Sequence, residues 1–132
     1  MLKYMLDTNI VIYTLKNRPA RVRKAFDKHA GEMCLSTVTL GELIYGAEKS
    51  IQTEHNLSVI EGLAARLEVF SFDTRAAMHF GQIRAELSRC GAAIGPYDMM
   101  IAGHARALGL ILVSNNLKEF ERVPGLRLQN WA

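Results

Sequence analysis

The chain has 132 residues, of which 49% are hydrophobic and 22% are charged. This length and balance predict one globular domain, residues 1–132, and exclude a small chain that needs disulfide staples to fold. Sixteen Lys and Arg residues outnumber thirteen Asp and Glu residues, and the formal charge of +3 permits a polyanionic partner without requiring one.

The first half of the chain alternates short apolar runs with helical patterns. Two runs, LKYML over residues 2–6 and MCLST over residues 33–37, are short and apolar enough to predict buried strands. Between them, a short helix is predicted over residues 10–16 and a basic helix over residues 20–29. After the second run, a further helix is predicted over residues 38–49.

The second half of the chain continues the alternation. A helix rich in small residues precedes the apolar run LILV, and Gly109 is expected to end that helix. The predicted elements are, in order, a helix over residues 53–66, a strand over 67–72, a long helix capped by Asp73 or Thr74, a helix from Tyr97 or Asp98 to Leu108, a strand over 110–113, a short helix from Leu117 and an extended edge segment over 126–131.

These strands are apolar throughout, and helices separate them. That pattern predicts a three-layer α/β fold with a central, mostly parallel sheet of four to five strands flanked by helices. Sites in such folds form beyond the carboxyl ends of the strands, so the polar residues that follow each strand are the candidates for function.

Neither cysteine belongs to a metal-ligand or redox spacing, so Cys34 and Cys90 are both expected to be reduced core residues. No apolar run approaches the roughly 20 residues that a membrane-spanning helix needs. Lys3, Asp7 and Asn9 interrupt any signal-peptide pattern at the N-terminus. The sequence therefore predicts a cytoplasmic protein.

Four acids lie near the ends of different predicted elements. Asp7 ends the first strand, Glu42 lies on the helix over 38–49, Asp98 begins the helix before LILV, and Glu119 follows LILV. Each acid also has a purely structural interpretation. Asp7 and Asp98 could cap helices, and Glu119 could complement the dipole of a short helix.

Glu42 is harder to explain structurally. Its helical neighbours are Val38, Tyr45 and Gly46, so the carboxylate is expected to be partly buried. A buried acid without a partner is costly, so Glu42 should meet a cation, a hydrogen-bond donor or a metal.

If these acids converge, their mutual repulsion raises their pKa values and destabilises the fold. A divalent cation would remove that cost, and a site made only of oxygen ligands suits Mg²⁺ or Mn²⁺ rather than zinc. Such a cation activates water and stabilises the charge that develops on a phosphodiester. The four acids thus predict a metal-dependent phosphodiester hydrolase.

Three stretches of the chain carry a family resemblance. In their order and spacing, MLDTN, TLGELIYGAEKS and GPYDMMIAGHARALGLILVSNNLKEFERVPGL resemble PIN-domain ribonucleases. The resemblance is strongest to VapC-type toxins of bacterial type II toxin–antitoxin modules, in the enterobacterial-like branch. It covers essentially the whole chain and implies a PIN-like fold.

The resemblance assigns roles by position. The acid of the D-T-N turn falls on Asp7, the helical glutamate on Glu42, and the acid of the D-x-x-I-A motif on Asp98. A fourth motif, T-x-N-x-x-D-F, reads SNNLKEF from Ser114 to Phe120, so either Asn116 or Glu119 completes the site. The residues expected to support the site, by positioning water, a phosphate oxygen or the acids, are Thr8, Asn9, Ser114 and Asn116.

The resemblance also implies an activity and partners. The chain would be an endoribonuclease that depends on one or two Mg²⁺ or Mn²⁺ ions, held by Asp7, Asp98 and Glu42 directly or through water. Its substrate would be tRNA, cut in the anticodon stem-loop and including the initiator species. A VapB-type antitoxin would inhibit the toxin, and the toxin would form a homodimer.

The segment after the D-T-N turn is basic. Lys16, Arg18, Arg21, Arg23 and Lys24 lie within nine positions, either as a solvated helix face or as phosphate contacts beside the site. Tyr13 and Tyr97 also lie near the motifs and could stack on unpaired bases. Among the histidines only His104 lies near a motif, and a structural role is expected for it.

Two other functions remain open from the sequence. An inert PIN-like domain that binds RNA or a partner would have the same fold. An aspartyl-nucleophile phosphohydrolase also places Asp at the end of its first strand, but it needs a second acid two residues later, where this chain has Asn9.

Overall fold

A computed structural model describes residues 1–132. Strands and helices alternate along the chain as the sequence predicts. The five strands are β1 (Tyr4–Leu6), β2 (Met33–Ser36), β3 (Glu68–Phe70), β4 (Ile111–Val113) and β5 (Arg127–Gln129). The seven helices are α1 (Thr8–Lys16), α2 (Ala20–Lys28), α3 (Thr37–Glu48), α4 (Thr53–Ala64), α5 (Thr74–Arg89), α6 (Pro96–Leu108) and α7 (Leu117–Phe120).

The strands form one sheet in the order β3-β2-β1-β4-β5, and every neighbouring pair is parallel. The chain first builds β1, β2 and β3 outward in one direction, and it then places β4 on the other side of β1. The strand order therefore reverses between β1 and β4, which is where ligands bind in sheets of this kind. The amide of Asp7 donates to the carbonyl of Val113 at 3.0 Å, so the two strand ends are joined there.

Apolar side chains cover both faces of the sheet. In β1, Tyr4 and Leu6 pack into the core beneath α1 to α4, whereas Met5 packs into the core beneath α5 and α6. This alternation follows from the period of two along a strand. It confirms the predicted three-layer α/β fold with helices on both faces.

Helix boundaries differ from the predicted ones by a few residues, for reasons that lie in the caps. Helix α1 begins at Thr8 rather than at residue 10, because the Asp7 carboxylate accepts the amide of Ile10 at 3.0 Å. Helix α6 begins at Pro96, since proline is well suited to the first helical position. Gly109 ends α6 in a left-handed conformation, with φ at 69°, as expected.

Helices α5 and α6 approach each other closely at Gly103. A Cβ atom on Gly103 would lie 2.7 Å from the amide nitrogen of Phe80 and 3.3 Å from the carbonyl oxygen of Ala76. Only glycine allows the two backbones to come this close. Gly103 therefore helps to fix the path of α6, which carries Asp98.

The two cysteines are both free, but only one is in the core. Cys34 is fully buried, and burial raises the pKa of its thiol to about 12. The expectation of a core position is wrong for Cys90, which follows the last turn of α5 and is exposed. None of the helices is both long enough and apolar enough to cross a bilayer.

Candidate active site at the carboxyl edge of the sheet

Asp7 lies at the end of the central strand and is 5% exposed. Its carboxylate caps α1, as the structural interpretation predicts, but its environment is costly for a charge. Burial raises the pKa of Asp7 and the nearby charge of Glu42 raises it further, while hydrogen bonds from the Ser114 side chain and the Ile10 amide lower it. The pKa of Asp7 is above its ordinary value, so its carboxylate is unfavourably buried as well as being a cap.

Ser114 supports Asp7 from the neighbouring strand. It follows β4 and is fully buried, and its Oγ accepts the amide of Asn116 at 2.8 Å. The side chain of Asn115 donates to the hydroxyl of Tyr13 on α1 at 3.0 Å. The first contact fixes the turn after β4, and the second holds that turn against α1.

Glu42 has the partner that its half-buried position requires. The hydroxyl of Thr8 donates to Glu42 Oε1 at 2.7 Å. Thr8 is the first residue of α1, so this hydrogen bond ties the beginning of α1 to the middle of α3. Of the partners that the sequence left open, the chain itself supplies a donor.

Asp98 is half-buried in the first turn of α6 and does not cap the helix. The residue at the cap is Gly95, which makes no side-chain cap hydrogen bond, so the capping interpretation of Asp98 is wrong. The pKa of Asp98 is raised to about 6, mainly by burial and then by the charges of Asp7, Glu119 and Glu42. Acids from four elements thus act on one another at this edge.

No Lys or Arg contributes to these raised pKa values, so negative charge accumulates at the site. No group of three or more carboxylate, histidine or cysteine side chains forms a ready-made metal cage. The donor chemistry fits Mg²⁺ or Mn²⁺, because these ions bind through a few carboxylates and keep several waters. The residues able to hold such an ion are Asp7, Glu42, Asp98 and Glu119.

Comparison with known proteins agrees with this geometry. Residues 4–126 match the PIN domain. The chain is 59% identical to the tRNA(fMet)-specific endonuclease VapC of Salmonella typhimurium and 61% identical to the protein of that name from Shigella flexneri, over the full length of each. The DNA-bound VapBC structure from Salmonella typhimurium contains a chain that matches with a TM-score of 0.95 at 58% identity, with both chains covered completely.

The chain belongs to the VapC family of PIN-domain proteins. This confirms the resemblance that the three motif stretches carry. The full-length structural match also confirms the PIN-like fold on which the site is built.

The two candidates for the fourth position of the VapC site are placed differently. Glu119, on α7, is close enough to Asp98 for its charge to raise the pKa of that acid. Asn116 contacts the site through its backbone amide, which donates to Ser114, and its side chain makes no hydrogen bond. Asn9, another expected supporting residue, is exposed on α1.

The basic residues near this VapC site separate into free and engaged side chains. Lys16 lines a groove beside Glu42, and Arg18 and Arg21 are exposed. Arg23 is instead engaged on the surface of α2, where its Nε lies 3.3 Å from Asp27. The free cations are therefore the better candidates for phosphate contacts.

A groove beside Glu42 has two adjoining parts, and Ile12, Glu42 and Gly46 line both. Glu42 is the one acid of the four that lines it. The part between α1, α3 and α4 has a volume of about 510 Å³. The part between α1, α3 and α6 has a volume of about 890 Å³ and includes Tyr45 and Tyr97, which are 65% and 59% exposed. The sequence indicates Tyr97 through its motif, whereas Tyr45 could have been found only from its position one turn after Glu42.

Proposed function

We propose that this chain is the toxin of a type II toxin–antitoxin module and a metal-dependent endoribonuclease that cuts initiator tRNA. The observation that carries the proposal is the Asp98 carboxyl, whose pKa is raised to about 6 by burial and by three further acids with no cation among them. The names of the Salmonella and Shigella relatives, both tRNA(fMet)-specific endonucleases, support the substrate.

Asp7, Glu42 and Asp98 would hold Mg²⁺ or Mn²⁺, directly or through water, with Glu119 as the fourth acid. When bound, such an ion supplies an activated water and stabilises the negative charge that develops on the phosphodiester. Mg²⁺ suits this edge because it needs only one or two carboxylates and retains its waters.

The hydroxyls of the site would act on the acids rather than on the substrate. The Thr8 hydroxyl donates a hydrogen bond to Glu42, and a hydrogen bond from the Ser114 side chain lowers the pKa of Asp7. Each hydroxyl thereby fixes the orientation of one carboxylate, a type of support on which metal sites depend. Without a cation, Asp98 would bind a proton as the pH falls below about 6, since its pKa is raised to about 6.

The groove has the chemistry that a single-stranded RNA loop requires. Lys16 lines the groove beside Glu42 and offers charge for the phosphates, and Arg18 and Arg21, which follow it closely in sequence, are exposed cations. Tyr45 and Tyr97 offer aromatic faces on which unpaired bases stack. These residues support cleavage within a loop, such as the anticodon stem-loop, rather than within a duplex.

The inhibitor would be a VapB-type antitoxin, since the Salmonella structure that matches the chain is a VapBC complex. The proposal also includes a homodimer of the toxin and a cytoplasmic location. Light scattering of the toxin with and without the antitoxin measures both assemblies, and a purely monomeric toxin would contradict the dimer.

The test is cleavage of initiator tRNA by the purified chain, freed of antitoxin. Mg²⁺ should permit cutting and a chelator should stop it, while Asp7→Asn and Asp98→Asn should abolish it. Glu61→Gln is the matched control, because Glu61 is an exposed acid on α4 and should cut normally. Cutting by Asp98→Asn at the wild-type rate would contradict the site, and RNA binding without cutting would favour the inert PIN-like alternative.

The aspartyl-nucleophile alternative has no structural support. It needs an acid two residues after Asp7, and that position is Asn9, whose side chain is exposed on α1.

A further inference from the structure

A buried histidine lies behind the acids and plays no part in the chemistry proposed above. His104 is 1% exposed on α6, and its Nδ1 lies 2.8 Å from the Oγ of Ser36. Ser36 is fully buried at the end of β2, and the same Oγ accepts the amide of Val38 at 3.1 Å as the cap of α3. The hydrogen bond therefore joins the middle of one helix to the first turn of another.

A third element closes around the same ring. Phe72, in the connection between β3 and α5, meets His104 edge to face, with the ring centroids 5.6 Å apart. The amide of Phe72 donates to the Oγ1 of Thr37 at 3.0 Å, in the first turn of α3. His104 thus lies at the junction of α6, α3 and the segment that follows β3.

The two helices joined by this hydrogen bond are the ones that carry Asp98 and Glu42. Asp98 lies six residues before His104 on α6, and Glu42 lies six residues after Ser36 on α3. Six residues correspond to about 9 Å along a helix. A small rotation of either helix at the junction would consequently change the separation of the two carboxylates.

Packing alone does not explain a histidine at this position. Burial lowers the pKa of His104, although the charge of Asp73 opposes this, so the ring is neutral and its desolvation is unfavourable. An apolar residue of similar size would fill the space without that cost. A buried polar pair instead fixes the relative position of the two helices, because its hydrogen bond forms in only one arrangement of them.

Ser36, His104 and Asp73 have the composition of a nucleophilic triad, but the arrangement excludes that chemistry. Both Ser36 and His104 are buried, and neither lines the groove beside Glu42. The Ser36 oxygen is also occupied by the Val38 amide. The pair therefore acts within the fold.

We propose that His104 is a positioning residue, whose hydrogen bond to Ser36 sets the separation of Asp98 and Glu42. This inference rests on the proposed function, since it concerns the same acids. Loss of the hydrogen bond between His104 and Ser36 should therefore weaken metal binding and RNA cleavage more than it lowers the stability of the fold.

The test uses two substitutions of similar size. Asn at position 104 places a polar atom near that of Nδ1, whereas Leu places none, and both lose the ring that meets Phe72. In full-length toxin freed of antitoxin, His104→Leu should lower the Mg²⁺ affinity and kcat about tenfold, and His104→Asn should retain most of both. The melting temperature of the Leu variant should equal or exceed that of the Asn variant. Calorimetry with Mg²⁺ alone gives the affinity without reference to activity.

A double-mutant cycle of Ser36→Ala and His104→Leu tests the same inference without the Asn variant, in case that variant fails to fold. Ser36→Ala should lower Mg²⁺ affinity by less in the His104→Leu background than in the wild-type background, because the hydrogen bond between the two residues is already absent there and only the cap of α3 remains to be lost. Additive losses, or a Leu variant that binds Mg²⁺ as tightly as the wild type, would overturn the inference. A wild type that binds Mg²⁺ but does not cut RNA would contradict the proposed function and leave the calorimetric test decisive. A wild type that binds no Mg²⁺ would overturn both.

Discussion

The two ends of the sheet differ in how their acidic side chains are paired: the acid at the amino end has cationic partners, whereas the acids at the carboxyl end repel one another. At the amino end, Lys3 lies 3.2 Å from Glu32, and the Nδ1 of His29 lies 2.9 Å from the same carboxylate. These partners, His29 first and Lys3 second, lower the pKa of Glu32. His29 also stacks on Trp131 with the ring centroids 5.1 Å apart, so its ring contacts Trp131 through one face and Glu32 through Nδ1.

At the carboxyl end, acids accumulate without a cation. Asp7, Glu42 and Glu119 raise the pKa of Asp98, and the nearest help comes from neutral donors such as Thr8. Unpaired like charges cost folding stability, so a chain under selection for stability alone would pair them. The difference between the two ends indicates where this protein gives up stability for function.

The largest expected effect comes from neutralising one acid at each end. Asp98→Asn should lower RNA cleavage more than about 100-fold, beyond the loss typical of residues that only support a metal ligand. The same change should raise the melting temperature of metal-free protein, because it removes repulsion. Glu32→Gln should lower the melting temperature slightly and leave cleavage unchanged, because it removes a paired acid. Equal shifts of the same sign in both variants would contradict the comparison.

The second largest effect is expected at Gly103, where α6, the helix that carries Asp98, contacts α5. Gly103→Ala should destabilise the fold by about 1–3 kcal/mol, because the new methyl group overlaps the backbone of α5. Gly81→Ala on α5 is the matched control, since a Cβ there meets nothing within 4 Å. It should stabilise the helix by about 0.5–1 kcal/mol. Chemical denaturation of both variants measures the difference, and a neutral Gly103→Ala would show that α6 can shift freely.

A smaller effect is expected from the groove beside the acids. Tyr97→Ala should raise the KM for RNA about fivefold with little change in kcat, because stacking of one base contributes about 1 kcal/mol or more. Met78→Ala serves as control, since Met78 is 61% exposed on α5 and lies outside the groove. Steady-state cleavage assays separate KM from kcat, and equal effects of the two substitutions would argue against stacking.

The smallest effect is a pH dependence of opposite sign at the two ends. The pKa of Asp98 rises from an ordinary 3.8 to about 6, so its contribution to stability is full below pH 4 and is lost as the pH rises through about 6. The pKa of Glu32 is lowered, so its contribution is present above its ordinary 4.5 and is lost as the pH falls. The melting temperature of metal-free protein should therefore depend less on pH between about 4 and 6 in Asp98→Asn, and less on pH below about 4.5 in Glu32→Gln.

The sequence predicted this site as far as local patterns reach. Apolar strands that end in polar residues indicate a parallel sheet, and its carboxyl ends gather Asp7 and Ser114 because β1 and β4 are neighbours. The helical neighbours of Glu42 also showed that it needs a partner. Thr8 could not be identified as that partner, since the contact joins residues 34 positions apart.

Other features depend on tertiary packing and have no local signal. The hydrogen bond from Asn115 to Tyr13 spans 102 positions, and that between His104 and Ser36 spans 68. Gly103 lies in the predicted helix rich in small residues, but the sequence does not show that its close neighbour is the backbone of α5. Cys90 was misplaced because an amphipathic pattern continues one residue beyond the last helical turn.

Titration calorimetry of Mg²⁺ into the antitoxin-free toxin at pH 7 tests most directly whether the carboxyl end is built for a cation. Saturable binding to the wild type and to Glu32→Gln, with none to Asp98→Asn, is the predicted result. Equal binding to all three proteins, or no binding to the wild type, would contradict the account.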